Sequence, residues 1–234
     1  MDSKISSSPS SEKTTVFNLI ILDESGSMSH LTKATISGCN ETLNVIRHTA
    51  KQNPETIRSL VSIYAFQSDG ERPSRYIVKN AGPQDVKNIT TDDYKPYGNT
   101  PLLDAVGSTL SELKTVAATH ENSTAIITII TDGYENSSHI YSPREVAKLI
   151  AQVKELGWTV NLIGANIDVD KLADAMNIDN KMSFTHSPEG ASHMFTHFNK
   201  NVACCVQDYA DEDRSLSMNE RIHLRKLRSK KFFN

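Results

Sequence analysis

The chain has 234 residues, a formal net charge of −3, 38% hydrophobic residues and 23% charged residues. These values are ordinary for a globular protein, and the length predicts one sizeable domain with tails. No uninterrupted apolar run approaches the roughly 18 residues that a membrane-spanning helix needs, so we expect no membrane span.

The first 14 residues predict a disordered leader, because six serines occur between positions 3 and 11 and no apolar segment accompanies them. The same composition is not that of a signal peptide. The three cysteines, Cys39, Cys204 and Cys205, are odd in number and include an adjacent pair, which argues against a secreted disulfide framework. Together these features predict a cytoplasmic protein, with Cys39 as a buried core thiol.

Apolar runs and helical patterns alternate along the rest of the chain. The nearly continuous apolar run at residues 16–22 is typical of a strand buried on both faces, and similar runs recur at 60–66, 125–131 and 159–164. Helical stripes separate them, and residues 74–80 fit a short edge strand. Further helices are predicted at 168–176 and 188–202, with a last short strand at 182–185. This order predicts an α/β fold, with a mostly parallel sheet covered by helices on both sides.

One helix has clear end signals. Ser142 and Glu145 form a capping-box pattern around Pro143, and Gly157 is placed to end the helix that they begin.

The predicted domain covers residues 15–205, and the character of the chain changes after Cys205. Residues 208–213 are acidic, whereas residues 221–234 contain six Lys or Arg and no acid. We interpret residues 206–234 as a charged, solvated C-terminal tail, and contact with nucleic acid or an acidic surface as the less favoured alternative.

Three loops carry oxygen-bearing side chains. Asp23, Ser25 and Ser27 follow the first strand, Thr100 precedes a helix, and Asp132 follows the strand at 125–131. Loops at the carboxyl ends of parallel strands meet at one edge of the sheet. Two carboxylates and three hydroxyls suit a hard divalent cation, so we expect Mg²⁺, with Mn²⁺ and Ca²⁺ as alternatives. Taken singly, each loop is explained equally well as a turn or a helix cap.

The five residues and their order resemble the metal-ion-dependent adhesion site of von Willebrand factor type A (vWA) domains. The surrounding residues 21–28 and 98–105 resemble the bacterial stand-alone members of that family, and the resemblance covers roughly residues 15–205. It implies a Rossmann-like three-layer sandwich whose central sheet has one antiparallel edge strand. It also implies metal-dependent binding of an acidic side chain of a partner, with Asp23, Ser25, Ser27, Thr100 and Asp132 holding the metal.

The leading hypothesis is therefore a metal-dependent protein-binding module that is not an enzyme and recognises Asp or Glu of a partner. One alternative is a Mg²⁺-dependent phosphohydrolase with Asp23 as the nucleophile. Another is a nucleic-acid-associated scaffold that binds through the basic tail.

Some neighbouring residues are open to two interpretations. Selection of a partner is one role for residues beside the metal loops, and plain surface exposure is the other; these residues are Met28, His30, Tyr97, Asn99, Tyr134 and Glu135. Glu24 and Glu135 also add negative charge, which favours capture of a cation and opposes an acidic ligand. His193 and His197 have the spacing of zinc ligands on a helix, but with no third ligand we interpret them as surface residues.

Overall fold

A computed structural model describes residues 13–68 and 72–233 and contains one six-stranded sheet. The strands are β1 (Thr14–Asp23), β2 (Ile57–Phe66), β3 (Arg75–Ala81), β4 (Ser123–Thr131), β5 (Thr159–Gly164) and β6 (Asn180–Ser183). Their spatial order is β3-β2-β1-β4-β5-β6, and only β3, at one edge, is antiparallel to its neighbour. The predicted fold class, a mostly parallel sheet with one antiparallel edge strand, is confirmed.

Among the described residues, six α-helices flank this sheet. They are α1 (Thr32–Gln52), α2 (Leu102–Ala117), α3 (Pro143–Glu155), α4 (Val169–Ala175), α5 (Pro188–Ala210) and α6 (Met218–Ser229). A 3₁₀ helix at Gly26–Leu31 precedes α1. In the part of the chain that the structure describes, no helix has both the length and the apolar character needed to cross a bilayer.

The sheet separates two hydrophobic cores. Successive side chains of a strand point to opposite faces, so Ile20 and Leu22 of β1 lie in one core and Leu19 and Ile21 in the other. Helices α1 and α5 cover the first core, and α2, α3 and α4 cover the second. Burial on both faces explains why β1 reads as a continuous apolar run rather than an alternating one.

Several predicted element ends are confirmed. Ser142 and Glu145 form both hydrogen bonds of a capping box at the start of α3. Gly157, with a φ of +76°, lies just beyond the end of that helix in the left-handed conformation that glycine adopts easily. Cys39 is fully buried, as predicted. The last strand lies two residues earlier than predicted, and α5 continues eight residues past Val202.

The expectation of a solvated tail at residues 206–234 is corrected by the structure. Helix α5 ends only at Ala210, and α6 begins at a second capping box, formed by Ser217 and Glu220. Arg225 of α6 is 1% exposed and pairs with buried Glu212, with 2.6 Å between Nη2 and Oε2. Arg225 Nη1 also donates to the Ser123 carbonyl of β4 at 3.1 Å, so this part of the chain packs against the domain. Of the predicted leader, residues 1–12 lie outside the described residues, and Thr14 already belongs to β1.

Candidate metal centre

Asp23, the last residue of β1, is held by hydrogen bonds on every side. Its Oδ1 accepts the backbone N–H of Ser25 at 2.7 Å, and its Oδ2 accepts the hydroxyl of Thr131, the last residue of β4, at 2.6 Å. The phenol of Tyr94 donates to its backbone carbonyl at 2.6 Å. The side chain is 0% exposed. The carboxylate is therefore fixed between the ends of two neighbouring parallel strands.

Three hydroxyls lie beside the second carboxylate. Ser25 Oγ and Ser27 Oγ are 3.1 Å apart, and Ser27 Oγ donates to Asp132 Oδ1 at 2.5 Å. A Cβ atom placed on Gly133 would be 3.1 Å from Thr100 Oγ1 and 3.6 Å from Ser27 Oγ, so the two hydroxyls face the same glycine. At the carboxyl edge of the sheet, hydrogen bonds thus connect Asp23 with Ser25 and Ser27 with Ser25 and Asp132, and the Thr100 hydroxyl lies beside Gly133 next to them.

Backbone contacts join the three loops. The N–H of Gly26 donates to the carbonyl of Gly98 at 3.1 Å, which connects the first loop to the second. Thr100 donates its N–H to Asn136 Oδ1 at 2.8 Å, and Asn136 returns its own N–H to the Thr100 carbonyl at 3.2 Å. The loops therefore form one hydrogen-bonded unit.

Glu24 and Glu135 lie away from the rim, contrary to one interpretation of the sequence. Glu24 is 0% exposed, pairs with Arg75 at 2.5 Å and accepts the N–H of Lys95 at 2.6 Å. Glu135 accepts the N–H of Leu103 in the first turn of α2 at 2.8 Å. Both carboxylates hold the loops in place from within.

Burial dominates the electrostatics of Asp23. Removal from water raises the pKa of its carboxyl to about 6, against the opposing effect of the hydrogen bonds from Thr131 and Ser25; the nearby charge of Asp132 adds to the rise. Among the described residues, no Lys, Arg or His nitrogen lies within 4.0 Å of this carboxylate. The buried Asp23 carboxylate therefore has hydrogen-bond donors and a second carboxylate nearby, but no cationic partner among the described residues.

His186, in the connection between β6 and α5, is a member of the cluster that the sequence reasoning missed. Its Nε2 lies 2.6 Å from Asp132 Oδ2, and its ring meets the ring of His30 edge-on, with centroids 4.1 Å apart. His193 and His197 are exposed on α5. Within residues 13–68 and 72–233, no three or more His, Cys, Asp or Glu side chains are grouped to hold a metal. The candidate centre differs from such groups because three of its five donors are hydroxyls.

Two exposed tyrosines lie on the loops that carry the candidate ligands. Tyr97 is 66% exposed and Tyr134 is 55% exposed, on the second and third loops. The phenol oxygen of Tyr134 accepts the N–H of Asp168 at 2.8 Å, which fixes that ring. Met28, by contrast, is 1% exposed and belongs to the core, so it is not available to a partner.

Known proteins resemble this chain in structure and not in sequence. No family model matches the sequence, and no curated protein sequence matches it. Among solved structures, the pilus adhesin SpaC from Lactobacillus rhamnosus GG is similar over 84% of this chain, with a TM-score of 0.62 and 13% identity. Proximal thread matrix protein 1 from the mussel byssus is similar over 82%, with a TM-score of 0.55 and 15% identity.

The VWA domain of SpRpn10 is also similar, over 77% of this chain and 93% of that domain, with a TM-score of 0.51 and 12% identity. The chain spans 30% of the length of the pilus adhesin and 47% of the length of the byssus protein. At these identities the likeness concerns the fold. With its six-stranded sheet of five parallel strands and one antiparallel edge strand, the chain has the fold of von Willebrand factor type A domains.

Proposed function

We propose that this chain is a protein-binding module in which Asp23, Ser25, Ser27, Thr100 and Asp132 hold a divalent cation, and that the cation binds an acidic side chain of a partner. The observation that carries the proposal is the buried Asp23 carboxylate, 0% exposed, beside a second carboxylate and three hydroxyls, with no cationic partner among the described residues. Burial of an unpaired carboxylate is strongly unfavourable, and a bound cation would relieve it.

The donor set fits a hard ion. All five side chains offer oxygen, and only two of them carry charge, which favours Mg²⁺ over zinc, with Mn²⁺ and Ca²⁺ as alternatives. An ion with few charged ligands would keep its attraction for another carboxylate. The residues of the chain fix the oxygens: Ser27 Oγ donates to Asp132 Oδ1 at 2.5 Å and accepts from Ser25 Oγ at 3.1 Å, which leaves one lone pair of the Ser27 oxygen for the ion.

Hydrolysis by a serine nucleophile is disfavoured by the order of the contacts. In a Ser-His-Asp triad, the histidine contacts the serine that it deprotonates. Here Asp132 lies in the middle, since its Oδ1 accepts from Ser27 at 2.5 Å and its Oδ2 lies 2.6 Å from His186. The imidazole is therefore not positioned as a base for the serine.

Phosphoryl transfer through Asp23 is disfavoured by burial. A nucleophilic carboxylate must reach the phosphorus atom of its substrate. Both oxygens of Asp23 are already hydrogen-bonded, to Ser25 and Thr131, and the side chain is 0% exposed. This supports binding rather than catalysis.

The basic C-terminal residues give little support to nucleic-acid binding. Arg225 is buried against Glu212, Lys226 contacts Glu155 at 2.5 Å, and Arg228 donates to a backbone carbonyl of α5 at 3.1 Å. Half of the six basic side chains are thus engaged within the chain. We propose a protein partner and no nucleic-acid partner.

We also propose a reducing, cytoplasmic setting, because all three cysteines are free. Cys39 is fully buried, and burial raises the pKa of its thiol to about 12. This cysteine is therefore a core residue and not a reactive one.

Calorimetric titration with Mg²⁺ and Mn²⁺ tests the metal centre. Wild-type protein should bind one ion per chain, and Asp132→Ala should bind none. Asp170→Ala, which removes an exposed acid paired with Lys181, is the matched control and should bind like wild type. Absence of binding by wild-type protein would contradict the proposal.

Capture of partners tests the second half of the proposal. Immobilised wild-type protein should retain partners from extracts of its source cell in Mg²⁺ and release them in EDTA. Ser25→Ala/Ser27→Ala should retain none. Ser29→Ala should behave like wild type, since the exposed Ser29 hydroxyl donates only to the carbonyl of Gly26. Capture that persists in EDTA would count against recognition through a metal.

A further inference from the structure

His186 contacts the Asp132 oxygen that Ser27 does not. Its Nε2 is 2.6 Å from Asp132 Oδ2, its side chain is 21% exposed, and that of Asp132 is 0% exposed. An ionised carboxylate can only accept hydrogen bonds, so the imidazole donates. Asp132 therefore accepts one hydrogen bond at each oxygen, from Ser27 at Oδ1 and from His186 at Oδ2.

The backbone around His186 is tightly folded. The N–H of Ser187 donates to the Thr185 carbonyl at 2.7 Å, across His186, and Ser187 Oγ caps α5 by accepting the N–H of Gly190 at 3.0 Å. A Cβ atom on Gly190 would collide with the Thr185 carbonyl oxygen, so only glycine lets the first turn of α5 come this close. Fixed backbone on both sides thus determines where the imidazole lies.

A second histidine supports the ring. His30, in the 3₁₀ helix that also contains Ser27, meets the His186 ring at 72° with 4.1 Å between centroids. The His186 ring therefore lies between His30 and Asp132, and two elements that are far apart in the chain restrict its rotation.

The atom that faces Asp132 separates two roles for His186. A nitrogen that binds a metal must offer its lone pair, whereas a nitrogen that donates a hydrogen bond carries a proton and offers none. Nε2 lies 2.6 Å from Asp132 Oδ2, within hydrogen-bonding distance. While it donates to the carboxylate, Nε2 is not available as a ligand, so His186 contacts Asp132 and not the ion.

We propose that His186 is a positioning residue of the metal centre: by donating from Nε2 to Asp132 Oδ2, it keeps Oδ1 directed at the Ser27 hydroxyl. The inference rests on the proposed metal site. Without this hydrogen bond the carboxylate is free to turn about its terminal torsion, and Ser27 loses a fixed acceptor for its proton. Hydrogen bonds of this kind typically change metal affinity by about 10- to 100-fold when they are removed.

Replacement by isosteres tests the role of Nε2. The full chain is titrated with Mg²⁺ and, separately, Mn²⁺, as wild type, His186→Ala, His186→Gln and His186→Asn. The amide nitrogen of glutamine takes the place of Nε2, whereas that of asparagine takes the place of Nδ1. We expect His186→Ala and His186→Asn to lower the affinity for both metals about 10- to 100-fold, and His186→Gln to keep most of the wild-type affinity. His193→Ala, an exposed histidine of α5, should bind like wild type.

The outcomes distinguish this inference from the proposed function. Metal binding by wild type with unchanged affinity in His186→Ala would overturn the positioning role alone. A much larger loss for Mn²⁺ than for Mg²⁺ would also overturn it, because it would make the imidazole a ligand. The positioning role would also be overturned if His186→Gln unfolds in urea like wild type but does not keep the affinity for metal. Absence of binding by wild type would overturn the metal site itself, and the positioning role with it.

Discussion

The buried acidic side chains at the two ends of the sheet differ in their hydrogen-bond and charge partners. At the amino ends of the strands, Glu212 accepts hydrogen bonds from the buried guanidinium of Arg225 at both oxygens, each at 2.6 Å. At the carboxyl ends, Asp23 and Asp132 are equally buried, but their donors are hydroxyls, a backbone N–H and one imidazole.

The same contrast appears between two adjacent residues. Glu24 is paired with Arg75 at 2.5 Å, whereas among the described residues Asp23 has no such cation. The fold therefore contains counter-charges for its buried acids wherever they serve structure. The buried acid without a counter-charge, Asp23, lies where three loops converge, and a cation from solution would supply that charge.

The largest effect is expected where the ion pair is fully enclosed. Arg225→Met leaves Glu212 buried without its counter-charge and should lower the free energy of unfolding by about 3–5 kcal/mol in urea titrations at pH 7. Glu212→Met/Arg225→Met should recover most of the loss. A single variant as stable as wild type would mean that α6 does not enclose the pair.

Substitution of Asp23 is expected to raise the free energy of unfolding when metal is absent. Burial raises its pKa from 3.8 to about 6, so the folded protein binds a proton that the unfolded chain has already released. The contribution of Asp23 to stability is complete below about pH 4 and is lost as the pH rises through about 6. In EDTA at pH 7, Asp23→Asn should therefore be more stable than wild type, by at most about 3 kcal/mol.

The difference between the two unfolding curves isolates this residue. It should grow between about pH 4 and pH 6 and stay constant above that range. With saturating Mg²⁺ the order should reverse, because only wild type gains stability from the bound ion. A difference that does not vary with pH would contradict the unpaired state of Asp23.

An intermediate effect is expected at Arg75. Arg75→Met removes the main partner of Glu24, but Arg72 Nε remains 3.9 Å from that carboxylate and the Lys95 N–H still donates to it. We expect a loss of about 2 kcal/mol in the free energy of unfolding, between the values for buried and exposed ion pairs. The affinity for Mg²⁺ should not change, since among the described residues the Glu24 carboxylate is hydrogen-bonded to none of the proposed ligand side chains. A fall in affinity would place Glu24 in the centre.

The smallest effect is expected one residue after Arg225. Lys226 contacts Glu155 at 2.5 Å, yet the side chain of Glu155 is 77% exposed. Lys226→Met should leave the urea midpoint unchanged within error, because solvent screens such pairs. A clear loss would show that exposure alone does not separate the two ion pairs of α6.

Local patterns in the sequence were sufficient for most of the fold. Buried runs marked β1 and β4, the Ser142 capping box marked α3, and strand ends pointed to Asp23 and Asp132 as neighbours. These features succeed because each depends on a few residues close together in the chain.

The missed features depend on distant contacts, although each had a local signal. His186 contacts a residue 54 positions away, but it lies three residues beyond the end of β6, so a search of the loops that follow parallel strands would have included it. Ser217 and Glu220 have the spacing used to predict α3, and charge in the segment hid that signal. Burial of Arg225 has no sequence signature, since it requires Glu212 and the start of β4 as partners.

The edges of the sheet restrict how this chain can associate with others. Strand β6 has only four residues, and β3 is joined to β2 through two register irregularities and carries Arg75 and Lys79. Short, bulged and charged edges resist the addition of a further strand. Assembly by sheet extension, and the aggregation that follows from it, is therefore disfavoured at both edges, so partners are directed to the loops and helices instead.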